Sequence, residues 1–592
     1  MVRLNGKQHP ELYLASLLTV EAAAQGHICL PLDSLLSSTG RYLSDLAPGT
    51  ADRETLRMAL LDTTVVGRPG DYTPLILDEA SRLYIHRYWQ YEQHVADRLR
   101  ALATFNNGLL ATISRELCHD LVNKLFPEAF GDNTDSTHPA IAAFIALTYN
   151  LCLISGSPGT GKTTAVARIL ALLLELSTQC ELRIALTAPT AKAAARLQES
   201  VVKAKRTLPC SDSLKQQIPE QAMTLHRLLG SRGDGSIYTY GEDRPLPFDV
   251  VVVDEASMID LPLMAHLLDA IGEKGKLILL GDPNQLSSVA AGAVFCDICS
   301  VGALNHYSRP FGEICHNYTG LAPDTAGKQS TGIQDCLVSF SRNYRFPEES
   351  PLGHFRSSVL TGNSTEALSI LNAVSDVLEW VEIEDFGMVA PMLEKRLGPL
   401  LRTYLDQIEN YFRHDHTRPF PLDRFRVLCA HRHGLLGTIR VNELMERMCR
   451  RFINVHPDSM AYPGKLVMVT RNDYTQQLFN GDMGVFLPDK TGGDLYSVHF
   501  RDAQGLRKFS PFAIPEHEIA FTTTVHKSQG SEYEKVFLLL PETDSPILCR
   551  ELIYTGITRA RQSLTVVGSR DVLAAAIERK IMRHSGLTDK LR

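Results

Sequence analysis

At 592 residues the chain is too long for one hydrophobic core, and at ~150 residues per domain it divides into three or four. Its composition, 44% hydrophobic and 21% charged, is that of an ordinary soluble protein, and no apolar run reaches the ~18 residues of a membrane span. Lys and Arg number 60 against 67 Asp and Glu, a net charge of −7 that argues against a wholly basic nucleic-acid binder but allows a motor whose positive charge is confined to one groove. The opening MVRLNGKQHPELYL has no signal-peptide core, and the twelve scattered cysteines suit a reducing compartment, so a cytoplasmic protein is expected.

Residues 1–115 are mostly helical in pattern (ELYLASLLTVEAAAQG, ETLRMALLD, QYEQHVADRLRALATF), with a short pair of strands at PLILDEASRLYIH. No catalytic constellation lies there, which leaves an accessory domain, either simply packed or docking a partner. From about residue 140 apolar runs alternate with helices: NLCLIS, LRIALTAPT, FDVVVVDEAS and GKLILLGDPNQ. Such runs indicate parallel strands covered on both faces, whose carboxyl ends collect ligands. The pattern returns in FRVLCAH, FTTTVHKSQG, KVFLLLP and SLTVVG. The expected α/β domains are therefore 116–340 and 341–592, the second interrupted by a β-rich module at about 455–515 (KLVMVTRNDYTQQLFNGDMGVFL, LYSVHF). Residues 305–340 have the texture of a mobile linker. Cys296, Cys299, Cys315, His316 and Cys336 invite a zinc reading, but their spacing is loose and core or surface thiols are favoured.

The chemistry begins at Gly156-Ser157-Pro158-Gly159-Thr160-Gly161-Lys162-Thr163-Thr164, a complete G-x-x-x-x-G-K-[ST] loop between a strand and a helix. Its backbone N–H groups and the helix N-terminus suit phosphate, Lys162 the β- and γ-phosphates of ATP, and Thr163 a Mg²⁺ ion. Asp254 ends the VVVV strand as a second Mg²⁺ ligand, and Glu255 is placed to orient and deprotonate the attacking water. Gln285 in GDPNQL is placed to sense the γ-phosphate. Arg345 (SRNYRF) and Arg559 (YTGITRAR), both in the second half, are candidate arginine fingers that reach the phosphate when the cleft closes. A P-loop kinase or switch GTPase is disfavoured, because a second α/β domain is present and no guanine-reading N-K-x-D follows the loop.

The ordered set GSPGTGKTT, LTAPTAKAAARL, TLHRLLG, VVVDEAS, GDPNQL, NYRF, TVHKSQGSE and LIYTGITRAR resembles the superfamily 1 DNA helicases, and within them the RecD type, the alpha subunit of exodeoxyribonuclease V. The likeness covers about 140–592, and more thinly the front through GHICLPL and RLYIHRYW. It implies two tandem RecA-like domains, a mainly helical front domain and an SH3-like insertion. It implies an ATP-dependent 5′→3′ DNA helicase working with beta (helicase-nuclease) and gamma (scaffold) subunits in recombinational repair of double-strand breaks. By the same resemblance Thr190, His226, Thr524 and His526 line a single-strand DNA track, and Gln529 and Glu532 couple it to the nucleotide. Phe479 and Tyr474 could stack on bases, though core packing is the plainer use of each. The family's adenine-reading glutamine is missing, with Pro139 near its position, which leaves adenine recognition open. No D-x-K nuclease cluster is evident. A stand-alone RecD-like helicase and an inactive scaffold subunit are the competing readings.

Overall fold

Each apolar run becomes a strand or helix whose placement follows from which of its faces must be buried. The computed structural model describes residues 9–37, 52–106, 108, 110–131, 134–177, 181–232, 237–325, 332–413, 421–456, 459–473, 475–488, 496–502 and 505–592. At the front, helices Pro10–Ala24, Arg53–Leu61 and His86–Leu102 surround a sheet of β1 (Cys29–Pro31), β2 (Val66–Gly67), β3 (Leu75–Leu77) and β4 (Arg82–Ile85), in the order β1-β4-β3-β2. β3 and β4 are the antiparallel pair expected in PLILDEASRLYIH. β1 and β2 are too short, at three and two residues, to leave a periodicity in the sequence.

The first α/β unit is a six-stranded parallel sheet of β5 (Leu151–Gly156), β6 (Ile184–Ala188), β7 (Ala222–Thr224), β8 (Val250–Val253), β9 (Lys276–Gly281) and β10 (Leu337–Phe340), in the order β10-β5-β9-β8-β6-β7. The wholly buried LCLISG and VVVV segments take its middle, as strands covered on both faces must.

The linker expected at 305–340 is overturned for its described part. Residues 309–319 form a helix that buries Phe311, Cys315 and Thr319 at four-residue intervals. Residues 337–340 are β10, paired in parallel with β5 from Leu337↔Leu153 to Phe340↔Gly156. The Gly, Pro and Ser around these elements masked a narrow apolar stripe and a four-residue strand. Residues 326–331 of the same segment lie outside the described residues. Cys299, Cys315 and Cys336 are buried in the first core, where burial raises all three thiol pKa values, and the Cys296 thiol donates to Pro283 O (3.2 Å).

The second α/β unit is a five-stranded parallel sheet. It contains β11 (Leu378–Glu382) and β12 (Phe425–Cys429) before the insertion. The insertion is an antiparallel sheet of β13 (Leu466–Val469), β14 (Met483–Pro488), β15 (Tyr496–Asp502), β16 (Gly505–Phe509) and β17 (His517–Ile519), so its last strand passes the expected limit of 515. β18 (Thr522–Thr524), β19 (Tyr533–Leu539) and β20 (Ala560–Gly568) complete the parallel sheet in the order β11-β20-β19-β12-β18.

The last residues leave this second unit and return to the front. Leu587 and Leu591 join the first hydrophobic core, Lys590 Nζ meets the buried Glu92 carboxylate (2.8 Å), and Arg82 meets Asp589 (2.6 Å). Among the described residues no helix is long and apolar enough to cross a membrane.

Candidate functional site: an interdomain nucleotide cleft

β5 ends at Gly156 and the chain turns through Gly159 (φ 90°) and Gly161 (φ 83°) into helix Lys162–Leu176. Both φ values lie in the left-handed region where a Cβ is costly, so the loop geometry itself calls for glycine. A Cβ on Gly156 would come within 2.8 Å of Thr160 Oγ1 and 3.0 Å of Phe340 O. Lys162 Nζ folds along the loop and donates to the carbonyls of Gly156 and Ser157.

β8 and β9 place the carboxylates beside this loop. Asp254 follows β8, its N–H donating to Thr187 O (2.9 Å) and its Oδ1 accepting from Glu255 N (2.8 Å). Burial, and then Glu255 beside it, push the Asp254 carboxyl up, while Lys162 pulls it down. Glu255 is held at φ 53°, a strained backbone for a residue with a side chain. Asp282 follows β9 and is buried, which raises its pKa against the opposing pull of Lys162.

A cavity of about 780 Å³ opens over these groups. Pro158 to Ala165, Asp254, Glu255, Asp282, Gln285 and Arg345 line it, together with Gly530, Glu532 and Arg559 from the second unit. The Asp254 carboxylate and Thr163 hydroxyl are hard oxygen donors in one cleft, the donor type Mg²⁺ takes. Such an ion would offset the repulsion between two adjacent acids and neutralise phosphate charge.

The two candidate fingers reach the cleft by different routes. Arg559, fully buried, comes from the second unit; its Nη2 donates to Gln285 Oε1 (2.7 Å), Nη1 to Ser531 O (3.1 Å) and Nε to Thr555 O (3.2 Å). Arg345 was expected to ride on the second unit, but the segment that carries it is tied to the loop itself. Asn343 Nδ2 donates to Pro158 O (2.9 Å) and Ser157 Oγ (3.1 Å), and Tyr344 N donates to Gly159 O (3.0 Å). Arg345 therefore already lies against the loop, its Cβ 2.8 Å from where a Cβ on Gly159 would stand. Its Nη2 pairs with Glu532 Oε1 (2.7 Å), and Arg196 and Arg561 meet the same carboxylate. Burial alone would raise the Glu532 pKa, yet Arg196 and Arg345 hold it down at about 2.

The residues expected on a DNA track sit apart from this cleft. Thr190 follows β6, His226 follows β7, and Thr524 and His526 close β18, so all four lie at carboxyl ends toward the β7 and β18 edges. Thr190 and Thr524 also serve the backbone, accepting from Ala193 N (3.2 Å) and Lys527 N (3.3 Å). The His226 ring lies 6.3 Å from that of Tyr238. Gln529 is buried and donates to Leu286 O (2.7 Å), which ties the β18 loop to the loop bearing Gln285. Thr164 lines the nucleotide cleft with the rest of the phosphate loop. Phe479 is half-buried at the insertion, its N–H donating to Asp482 (2.8 Å), and Tyr474 lies outside the described residues.

Two known family models divide the motor and a third takes the front. The AAA domain matches residues 140–291, the UvrD-like helicase C-terminal domain 520–567, and the RecBCD enzyme subunit RecD, N-terminal domain, 1–84. The RecBCD enzyme subunit RecD of Mycolicibacterium smegmatis is 34% identical over 586 residues, spanning 98% of this chain and 93% of its own. The chain belongs to the RecD family. The Haemophilus influenzae RecBCD enzyme subunit RecD is 33% identical, over 85% of this chain and 79% of its own. The ATP-dependent RecD2 DNA helicase of Deinococcus radiodurans is 26% identical, over 97% of this chain and 68% of its own.

The cleft also holds residues that no local sequence signal marks. Arg196 sits in TAPTAKAAARL, from which only Thr190 was singled out, and Tyr344 sits in NYRF, from which only Arg345 was. Tyr344 is exposed at the cleft mouth, its ring 3.7 Å from where a Cβ on Gly161 would lie and Arg342 stacked on it at 5.0 Å. Pro139 lines the same cleft at the first turn of helix His138–Thr148, where a proline lacks any amide to read a base.

Proposed function

We propose that this chain is the 5′→3′ motor of a RecBCD-type exodeoxyribonuclease V, acting in the cytoplasm in recombinational break repair. Its activity class, ATP-dependent DNA helicase, follows from RecD membership. The observation that carries the mechanism is the cross-cleft bond from Arg559 to Gln285, because it makes the geometry around the phosphate depend on the approach of two domains. In this reading Lys162 neutralises the β- and γ-phosphates, Asp254 and Thr163 hold Mg²⁺, and Glu255 activates water. Arg345 and Arg559 stabilise the charge that develops in the transition state. Tyr344 offers an aromatic face to adenine where Pro139 cannot hydrogen-bond.

Thr190, His226, Thr524 and His526 hold one DNA strand through its phosphates, so binding weakens steeply with salt and depends little on sequence. The decisive measurement is unwinding of duplexes with a 5′ or a 3′ single-stranded tail, with any partner motor disabled. Activity on the 5′-tailed duplex is expected; activity confined to the 3′ tail would overturn the polarity.

The front domain supports the subunit reading over the stand-alone one. On helix Pro10–Ala24, Tyr13, Leu17 and Val20 are 59%, 52% and 56% exposed at one-turn spacing, an apolar stripe suited to docking. We place the gamma (scaffold) subunit there and the nuclease centre on the beta subunit. Changing Leu17 and Val20 together to aspartate should abolish co-purification with those partners while DNA-stimulated ATP hydrolysis stays within ~2-fold, as expected of surface changes away from the cleft. Full co-purification of that variant would remove the docking role.

A further inference from the structure

The loop after β9 is plugged into the second α/β unit. Leu286 is buried in that unit's hydrophobic core, and its N–H donates to Thr555 Oγ1 (3.0 Å) while its carbonyl accepts from Gln529. At the base of the same loop Asp282 accepts three bonds: from Asn284 N (3.0 Å), from Gln285 Nε2 (3.3 Å) and from the Tyr554 hydroxyl (2.8 Å). Tyr554 alone among these donors comes from the second unit, from helix Arg550–Thr558 that also leads into Arg559.

The Gln285 amide is therefore fixed at both ends. Its oxygen faces Arg559 and its nitrogen faces Asp282, so the carboxylate decides which way the amide points. Asp282 is buried close enough to Lys162 to feel its charge, and an acceptor in that position depends on its donors to stay oriented. The Tyr554 ring is wholly buried, so the hydroxyl is aimed by packing. Burial and Asp282 also keep this phenol protonated far above its ordinary range, so it always has a proton to donate.

We infer that Tyr554 is a positioning residue for ATP hydrolysis: it reports closure of the second domain to Asp282, which orients Gln285 at the γ-phosphate. When the domains separate, Asp282 loses this donor and Gln285 loses Arg559 in one movement. Tyr554 touches neither nucleotide nor DNA and acts only through Asp282 and Gln285. The inference rests on the ATPase reading above.

The test is steady-state hydrolysis by the full chain, with saturating single-stranded DNA, as a function of ATP concentration. Tyr554→Phe removes one oxygen and keeps the packing; kcat should fall ~10-fold while KM for ATP moves less than ~2-fold. Asp282→Asn weakens the same contact from the other side and should lower kcat by a comparable factor, with KM for ATP free to move because the change also removes a charge near Lys162. The double variant Tyr554→Phe/Gln285→Ala should be no slower than Gln285→Ala alone, since residues acting in series are non-additive. A purely structural tyrosine predicts otherwise: losses that multiply in the double variant, or a kcat decline that tracks a fall in Tm. Either result, or an unchanged kcat in Tyr554→Phe, overturns the inference. Lys162→Gln, measured alongside, separates the two failures. If it retains full hydrolysis the ATPase reading itself is wrong, whereas if it is inactive and Tyr554→Phe is normal only the inference falls.

Discussion

Lys162→Gln is expected to lower DNA-stimulated ATP hydrolysis by at least ~10²-fold, the scale that follows when a preorganised cation on transferring phosphate is removed. Glutamine keeps most of the stem, and its amide can still donate to the Gly156 and Ser157 carbonyls that Lys162 now meets. The loop should thus keep its shape and lose its charge. That charge also supports its neighbours, because Lys162 pulls down the carboxyls of Asp254 and Asp282 against the burial that raises them. Without it both acids become harder to ionise, and the site loses phosphate neutralisation and metal affinity together. Hydrolysis at the unmutated rate would mean that the glycine loop is not the engine. Glu255→Gln should give the contrasting signature: with Asp254, Thr163 and Lys162 intact, ATP binding should persist while turnover nearly stops. Loss of nucleotide affinity in step with turnover would move Glu255 from the water to the metal shell.

What the sequence made legible follows from the length and purity of its signals. LCLIS, VVVV, LILLG, VFLLL and LTVVG are short, nearly continuous buried apolar runs of the kind a parallel sheet covered on both faces accommodates. The candidate site residues stand at the carboxyl ends of these strands, so identifying a strand located the candidates it carries. Where the signal failed, the element was short or its role was tertiary. β10 has four residues and is recognisable as a strand only once β5 lies beside it. Arg345 could be picked out as a candidate finger, but not its anchorage, because the bonds from Asn343 to Pro158 and Ser157 join residues more than 180 positions apart. Arg196 and Tyr554 looked like ordinary members of amphipathic and buried helices. Their significance lies in partners on another domain, Glu532 and Asp282, which no local periodicity encodes. The return of Leu587 and Leu591 to the front core is of the same kind.

Arg559→Ala is expected to be the most damaging single change in the cleft, with hydrolysis falling by ~10³-fold or more, the range an arginine finger supplies. The geometry argues for so large an effect. The guanidinium is fully buried, and its donors are shared among Gln285, Ser531, Thr555 and Thr558, so its fork is held at one orientation before any phosphate arrives. Alanine removes the charge and frees the Gln285 oxygen from its partner across the cleft. It also removes the donor to the Ser531 carbonyl, at a cost of about 1–3 kcal/mol, while Thr555 O keeps the Thr558 hydroxyl, so a fall in Tm accompanies the loss of activity. Binding distinguishes the two effects: ATP affinity within ~10-fold of the unmutated chain, alongside the ~10³-fold loss of turnover, assigns the residue to the transition state. Arg559→Lys should not rescue, because a single ammonium cannot reproduce a fork that bonds Gln285, Ser531 and Thr555 at once. Unwinding of a 5′-tailed duplex should vanish in both variants, since strand movement requires each cycle of cleft closure to be followed by hydrolysis. Turnover within ~10-fold of the unmutated chain would show that Arg559 only braces the domain junction, and the finger role would pass to Arg345, already anchored beside the phosphate loop.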